Sequence, residues 1–92
     1  MKDTDSIFII GTLSREDEIQ KAAMYYLYLG YSVRIVRKQP DIEQEALIID
    51  CLKNIDKCDK VIAIPHEDGT LGTGTLYETA YAQKIGKEVE IW

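Results

Sequence analysis

Residues 60–80, KVIAIPHEDGTLGTGTLYETA, place a short apolar run, a glycine-rich loop and the start of a helix in direct succession. The apolar run, residues 60–64, predicts a strand, and the helix is expected to continue to about Ile85, where Gly86 ends it. A loop that leads from a strand into a helix is the usual ligand-binding segment of α/β proteins.

The rest of the chain repeats this alternation of strand and helix. Residues 6–10 are branched and aromatic and end at Gly11, which is typical of a central strand covered on both faces. Ser14, with Asp17 three residues later, predicts the cap of a first helix that ends at Gly30. The further predicted elements are an edge strand over residues 32–37, a helix over 42–55 and a last strand over 88–92.

A glycine separates helix from strand in two places, at YLGYSV (28–33) and KIGKEV (84–89), so the β-α-β unit is used repeatedly. Right-handed crossovers then predict a small, doubly wound α/β fold of the flavodoxin or Rossmann-like type. It has a four-stranded parallel sheet in the order 2-1-3-4 and three helices. The strand order reverses between the first and third strands, so we expect the ligand crevice at their carboxyl ends.

Length and composition set the broad class. The chain has 92 residues, which predicts one domain with a modest core that oligomerisation would stabilise. With 46% apolar and 29% charged residues and no signal-like start, a cytoplasmic globular protein is expected. A net charge of −5 without a basic cluster argues against a nucleic-acid partner, and no run is long enough for a membrane span. Cys51 and Cys58 fit neither a redox motif nor a zinc spacing and are expected to be buried thiols.

The glycines at 69, 72 and 74 allow the backbone to approach a ligand closely and to adopt positive φ angles. The amides of the following helix suit an anion or sugar hydroxyls, although a tight turn alone would explain the same glycines. The loop after Gly11 lacks the remaining glycines of a dinucleotide motif, and there is no Walker lysine. Neither a cofactor nor a metal is therefore predicted.

Glu78 is the sharpest candidate for chemistry. A carboxylate at this point of the fold can attack an anomeric carbon or stabilise an oxocarbenium-like transition state. The alternative is architectural, because Thr75 and Glu78 also form a T-x-x-E capping box in which Glu78 would bind the amide of Thr75. The capping box requires the helix to start near Thr75 and fails if it starts at Gly72 or Gly74.

Three segments occur in a characteristic order: FIIG (8–11), Asp50 followed by CDKVIAIP (58–65), and GTGTLYETAYA (72–82). They span nearly the whole chain, and the last is the most specific. Together they resemble the nucleoside 2-deoxyribosyltransferase family and its deoxynucleotide N-hydrolase relatives. The resemblance implies that Glu78 matches the family's nucleophile, which forms a glycosyl-enzyme intermediate after the base departs.

The resemblance extends to other candidate residues. Asp50 looks like the family's helical aspartate that contacts the nucleoside, and Asp68 like the acidic residue that helps to protonate the base. For both, a solvated carboxylate is the alternative. His66, next to Glu67, could transfer protons near neutral pH or lie unused on the surface. The predicted substrate-binding residues are Phe8, Gly11, Thr12, Gly69, Gly72, Gly74 and Tyr77.

The chain departs from the family pattern in two respects. Phe8 stands where family members usually carry a tyrosine whose hydroxyl is directed at the nucleophile, so Tyr77, Tyr81 or Thr12 would have to replace it. The chain is also shorter than typical members, which favours an oligomer. Tyr25 and Tyr28 fall on the outer side of the first helix, and an exposed aromatic face predicts a homodimer there.

The sequence is compatible with two functions. The first is an enzyme that cleaves or exchanges the N-glycosidic bond of a (deoxy)nucleoside or its monophosphate through Glu78. The second is a non-catalytic module that senses or sequesters a nucleotide on the same scaffold, which Phe8 and the small size favour. A truncated response-regulator receiver is a weaker third interpretation, since the acidic pair and the phosphorylatable aspartate are absent.

Overall fold

The computed structural model describes residues 6–11, 15–35 and 44–92, with the side chains of residues 44–48 outside the description. Four strands pair in parallel in the order β2-β1-β3-β4, and three helices connect them, so the predicted fold class is confirmed for the described part of the chain. The elements are β1 (Ser6–Gly11), α1 (Glu16–Tyr28), β2 (Ser32–Ile35), α2 (Gln44–Lys57), β3 (Lys60–Ile64), α3 (Thr73–Lys84) and β4 (Glu88–Ile91).

The sheet separates the core into two layers, because alternate residues of a strand point to opposite faces. One layer packs against α1 and contains Ile7, Ile9, Ile62 and Ile64 with Ile19, Ala22, Ala23 and Tyr26. The other packs against α2 and α3 and contains Phe8, Ile10, Val61 and Ala63 with Cys51, Ile55, Cys58 and Ala82. The two central strands are therefore buried on both faces, as their apolar sequences predict.

Two helices end in the same way before a strand. Gly30 follows α1 with a φ of 97°, and Gly86 follows α3 with a φ of 82°. In each case the glycine amide and the next amide bond back into the last turn: Gly30 N–H to the Leu27 carbonyl and Tyr31 N–H to the Tyr26 carbonyl, both at 3.0 Å. This is the Schellman motif, in which a left-handed residue satisfies the last helical carbonyls. The repeated glycine pattern thus marks two equivalent turns.

Some predicted boundaries were wrong. The first helix begins at Glu16 with Arg15 at the N-cap and no side-chain capping bond, whereas the sequence predicted a cap at Ser14, which lies outside the described residues. Helix α2, Gln44–Lys57, ends two residues after the predicted end at Ile55, whereas the predicted start at residue 42 lies outside the described residues. It continues past Ile55 because the Cys58 amide still donates to the carbonyls of Asn54 and Ile55. Strand β2 is described over Ser32–Ile35, and its predicted continuation to residue 37 lies in residues 36–43, which fall outside the description.

The carboxyl ends of β1 and β3 lie unusually close together. A Cβ atom placed on Gly11 would lie 2.9 Å from Ile64 Cβ and 3.3 Å from the Ile64 carbonyl oxygen. Only glycine allows this approach at the point where the strand order reverses. None of the described helices is long and apolar enough to cross a bilayer.

Candidate functional site

At the edge of the sheet where the strand order reverses, Arg15 connects the segment after β1 to the loop after β3. From the segment after β1, Arg15 Nε donates to the Pro65 carbonyl at 3.2 Å, and Nη1 lies 3.5 Å from Glu67 Oε1. Both partners belong to the loop that follows β3. Arg15 lines an open depression of about 400 Å³ together with His66, Glu67 and Asp68. The two loops therefore meet where the sequence placed them, although Thr12 lies outside the described residues.

The loop after β3 is a compact turn. The His66 amide donates to the Thr70 carbonyl at 2.8 Å, and the Gly69 amide to the His66 carbonyl at 2.9 Å. The carboxylate of Asp68 accepts from the Thr70 amide at 3.0 Å and from the Thr70 hydroxyl at 2.6 Å. These bonds lower the pKa of the exposed Asp68 carboxyl. A carboxylate held in its charged form is a poor proton donor, which weakens the predicted acid role of Asp68.

Among the three loop glycines, only Gly69 has a positive φ, at 87°. Gly72 and Gly74 do not use the positive φ that glycine allows. Gly72 is the N-cap of α3 with a φ of −65°, and Gly74 lies in the first helical turn. Helix initiation requires extended backbone at the N-cap and helical backbone after it, so neither position can be left-handed.

The position of the helix start decides between the two interpretations of Glu78. Because α3 begins at Thr73, Thr75 already occupies the third helical position and Glu78 lies in the second turn. The N-cap has no side-chain hydrogen bond, so the T-x-x-E capping box does not form. Glu78 is thus free of the architectural role that the sequence allowed.

Glu78 is half-buried, and one oxygen of its carboxylate is buried without a compensating partner. Its Oε2 atom is inaccessible to solvent and has no hydrogen-bond partner among the described residues. Burial raises the pKa of Glu78 to about 7, and the Cys51 side chain is the neighbour that acts in the opposite direction. On the other side, a Cβ atom on Gly74 would lie 4.0 Å from Glu78 Oε1. A carboxyl whose pKa is raised by burial is a candidate functional group.

Cys51 lies near enough to Glu78 for their charges to influence each other, a proximity that the sequence did not reveal. It is 3% exposed on α2 and packs in the same core layer as Ala82 of α3. Desolvation first, and then the charge of Glu78, raise the pKa of the Cys51 thiol to about 12, so it remains protonated. Its helical spacing with Ile55 and Cys58 indicated a core position only. The one feature that could have indicated this proximity is the packing of α2 and α3 on the same face of the sheet.

The other predicted site residues lie in different environments. Asp50 is exposed on α2 beside Cys51, and Tyr77 is 58% exposed on α3. Phe8 is 1% exposed and packs in the same apolar cluster as Cys51. The hydroxyl of Tyr81 donates to Asp56 at 2.8 Å and is therefore not directed at Glu78. Within the described ranges, no group of three or more His, Cys, Asp or Glu side chains could hold a metal ion.

Comparisons with known proteins identify the fold. No family model matches the chain. No curated protein sequence matches it either. Among solved structures, the chain is similar to the Clostridium botulinum CMP N-glycosidase BcmB, with a TM-score of 0.71, 20% identity and coverage of 94% of this chain and 66% of the other.

A second similar structure is the 2-deoxyribosyltransferase from Leishmania mexicana, with a TM-score of 0.68, 21% identity and coverage of 96% and 63%. The chain thus spans about two thirds of the length of each. At these identities the comparison establishes the fold, and this chain has the nucleoside 2-deoxyribosyltransferase-like fold.

Proposed function

We propose that this protein cleaves or exchanges the N-glycosidic bond of a (deoxy)nucleoside or its monophosphate, with Glu78 as the nucleophile. The observation that carries the proposal is the buried, unpaired oxygen of the Glu78 carboxylate, in the helix that follows the carboxyl end of β3. Fold similarity to an N-glycosidase and a deoxyribosyltransferase supports it.

The reaction follows from the chemistry of a buried carboxylate. A Glu78 oxygen attacks the anomeric carbon, and the C–N bond breaks with its electron pair passing to the base, which takes up a proton. The resulting glycosyl ester is then cleaved by water, which releases the sugar, or by a second base, which completes an exchange. Backbone amides between Gly69 and Gly74 would surround the sugar or its phosphate, and the exposed Tyr77 would contact the nucleoside.

The test is release or exchange of base over a panel of nucleosides and nucleoside monophosphates, CMP included, followed by chromatography. We expect turnover by the wild-type protein and its loss in Glu78→Ala and Glu78→Gln, because neither side chain can form the ester. Glu88→Gln is the matched control, since Glu88 is exposed at the start of β4, at the end of the sheet opposite the loop that follows β3. The proposal fails if no substrate turns over or if Glu78→Gln remains active.

A non-catalytic nucleotide-binding module is the second candidate. Two observations favour it: Phe8 has no hydroxyl, and the Tyr81 hydroxyl is bound to Asp56. The module predicts calorimetric binding of nucleotides without turnover, little affected by Glu78→Gln but lost when Gly72 or Gly74 gains a side chain. Absence of any nucleotide binding would exclude it.

We also propose that the protein forms a homodimer through α1. Met24, Tyr25, Leu27 and Tyr28 are all at least 50% exposed on this helix, whereas Tyr26 is buried at 6%. The helix therefore presents an apolar outer face of the kind that subunit interfaces cover.

A further inference from the structure

We propose that this protein selects an uncharged (deoxy)nucleoside over its 5′-monophosphate, and that Glu67 and Asp68, in the loop after β3, are the specificity-determining residues. The inference rests on the proposed function, because it concerns the substrate of the same site. It holds equally whether the N-glycosidic bond is cleaved by water or exchanged.

Arg15 is the permanent cation that lines the depression at this edge of the sheet, together with His66, Glu67 and Asp68. Its Nε atom donates to the Pro65 carbonyl at 3.2 Å, and its Nη1 atom lies 3.5 Å from Glu67 Oε1. The Arg15 guanidinium therefore already has an anionic partner. A phosphate that approached it would have to displace Glu67 or lie beside it, and two anions on one guanidinium repel each other.

Donor groups that could hold a phosphate are used within the loop itself. The amide and the hydroxyl of Thr70 both donate to the Asp68 carboxylate, at 3.0 Å and 2.6 Å. The His66 amide donates to the Thr70 carbonyl, and the Gly69 amide donates to the His66 carbonyl. Phosphate oxygens need donors of this kind around them. In this loop a carboxylate oxygen occupies the position that a phosphate oxygen would need beside Thr70.

The charges around this loop are unfavourable for a further anion. The hydrogen bonds from the Thr70 hydroxyl and amide lower the pKa of Asp68, so its carboxylate is charged at neutral pH. Glu67 lies next to it, and the first turn of α1, which follows Arg15, adds three acidic residues: Glu16, Asp17 and Glu18. A nucleoside monophosphate brings about two more negative charges at neutral pH. It is therefore repelled, whereas an uncharged nucleoside is not.

The first amides of α3 also suit a neutral group better than a dianion. The Leu76 amide donates to the Gly72 carbonyl at 2.8 Å, so the amides of residues 73–75 precede the first helical bond and have no partner within the helix. A Cβ atom on Gly74 would lie 4.0 Å from Glu78 Oε1. A phosphate bound by these amides would therefore lie near the Glu78 carboxylate, where its charge would favour the protonated form that cannot attack. A sugar hydroxyl binds the same amides without this effect.

The first test uses the unmodified protein and compares kcat/KM for each active nucleoside with that for its 5′-monophosphate, at ionic strengths between about 0.01 and 1 M. We expect the nucleoside to have the higher kcat/KM, with little dependence on salt. The kcat/KM of the monophosphate should rise with salt, because screening weakens the repulsion. A monophosphate that is the better substrate, with a kcat/KM that falls with salt, would overturn this inference and leave the proposed function intact.

The second test assigns the effect to the two carboxylates. Glu67→Gln and Asp68→Asn each remove one charge without changing the size of the side chain, and the asparagine oxygen can still accept from Thr70. We expect each variant to raise the kcat/KM of the monophosphate relative to the nucleoside by about two- to fivefold, as for an exposed charge pair. Glu88→Gln, at the opposite end of the sheet, is the control and should leave the ratio unchanged. A ratio that one variant leaves unchanged would overturn the role of that residue, and an equal rise in Glu88→Gln would overturn the role of both.

Calorimetry decides the selection if no substrate turns over, in which case the proposed function fails. Tighter binding of the nucleoside than of its monophosphate, with a smaller difference in Glu67→Gln and Asp68→Asn, would support the inference. Tighter binding of the monophosphate, or binding of neither compound, would overturn it.

Discussion

At the level of a single residue, the burial of Glu78 has two opposing effects. Its burial prepares a carboxylate for chemistry, and the same burial makes its charge unfavourable in the folded protein. The pKa in the folded chain is about 7, compared with 4.5 for an unperturbed glutamate. The folded state therefore binds more protons than the unfolded state between these two values. This contribution to stability is present below about pH 4.5 and is lost as the pH rises through 7.

We therefore predict that Glu78→Gln is more stable than the wild type at pH 8. Glutamine stays neutral, so the variant avoids the cost of burying a charge, on the order of 1–2 kcal/mol once solvent screening of the half-buried side chain is included. The difference should shrink to near zero at pH 4, where Glu78 is protonated. Urea denaturation of both proteins at pH 4, 6 and 8 measures it, with the exposed Glu67→Gln as a control that should show no such pH dependence. Stability curves of the wild type and Glu78→Gln that run parallel with pH would contradict this account.

At the level of elements, the close approach of β1 and β3 depends on Gly11. We predict that Gly11→Ala destabilises the protein by about 1–3 kcal/mol, as overpacking of a core does, because the new Cβ would lie 2.9 Å from Ile64 Cβ. Gly74→Ala is the matched substitution, since its Cβ would meet nothing closer than Glu78 Oε1 at 4.0 Å. Denaturant midpoints of the two variants should differ clearly. If the two substitutions lowered the denaturant midpoint equally, β1 and β3 would be able to move apart at little cost in free energy.

The elements also show what the sequence could predict. The alternating layers of the sheet and the glycines at 30 and 86 depend on local patterns, and both were identified correctly. The start of α3 was ambiguous, because Gly72-Thr73-Gly74-Thr75 offers several caps of similar quality. The burial of a Glu78 oxygen was not predictable, since it depends on how α2 and α3, distant in sequence, pack on one face of the sheet.

At the scale of the whole molecule, the limited core makes association valuable. The described chain measures 38 × 25 × 25 Å, and small domains bury a smaller fraction of their surface than large ones. On α1, Met24 is 70% exposed and Tyr28 is 89% exposed. Tyr25 lies next to Trp92, with ring centroids 5.5 Å apart, which extends the apolar surface to the end of the sheet. A second copy that covers this face would add apolar burial to both subunits.

We therefore predict a concentration-dependent homodimer in sedimentation velocity, because burial of this face stabilises the associated state by mass action. The double variant Met24→Glu/Tyr28→Glu should sediment as a monomer, since two buried like charges on each subunit would face each other at the interface. Ile49→Glu is the control: Ile49 is 53% exposed on α2, on the other side of the sheet, so its charge should leave the dimer intact. A wild-type protein that stays monomeric at all concentrations, or a dimer that Ile49→Glu disrupts equally, would show that α1 is not the interface.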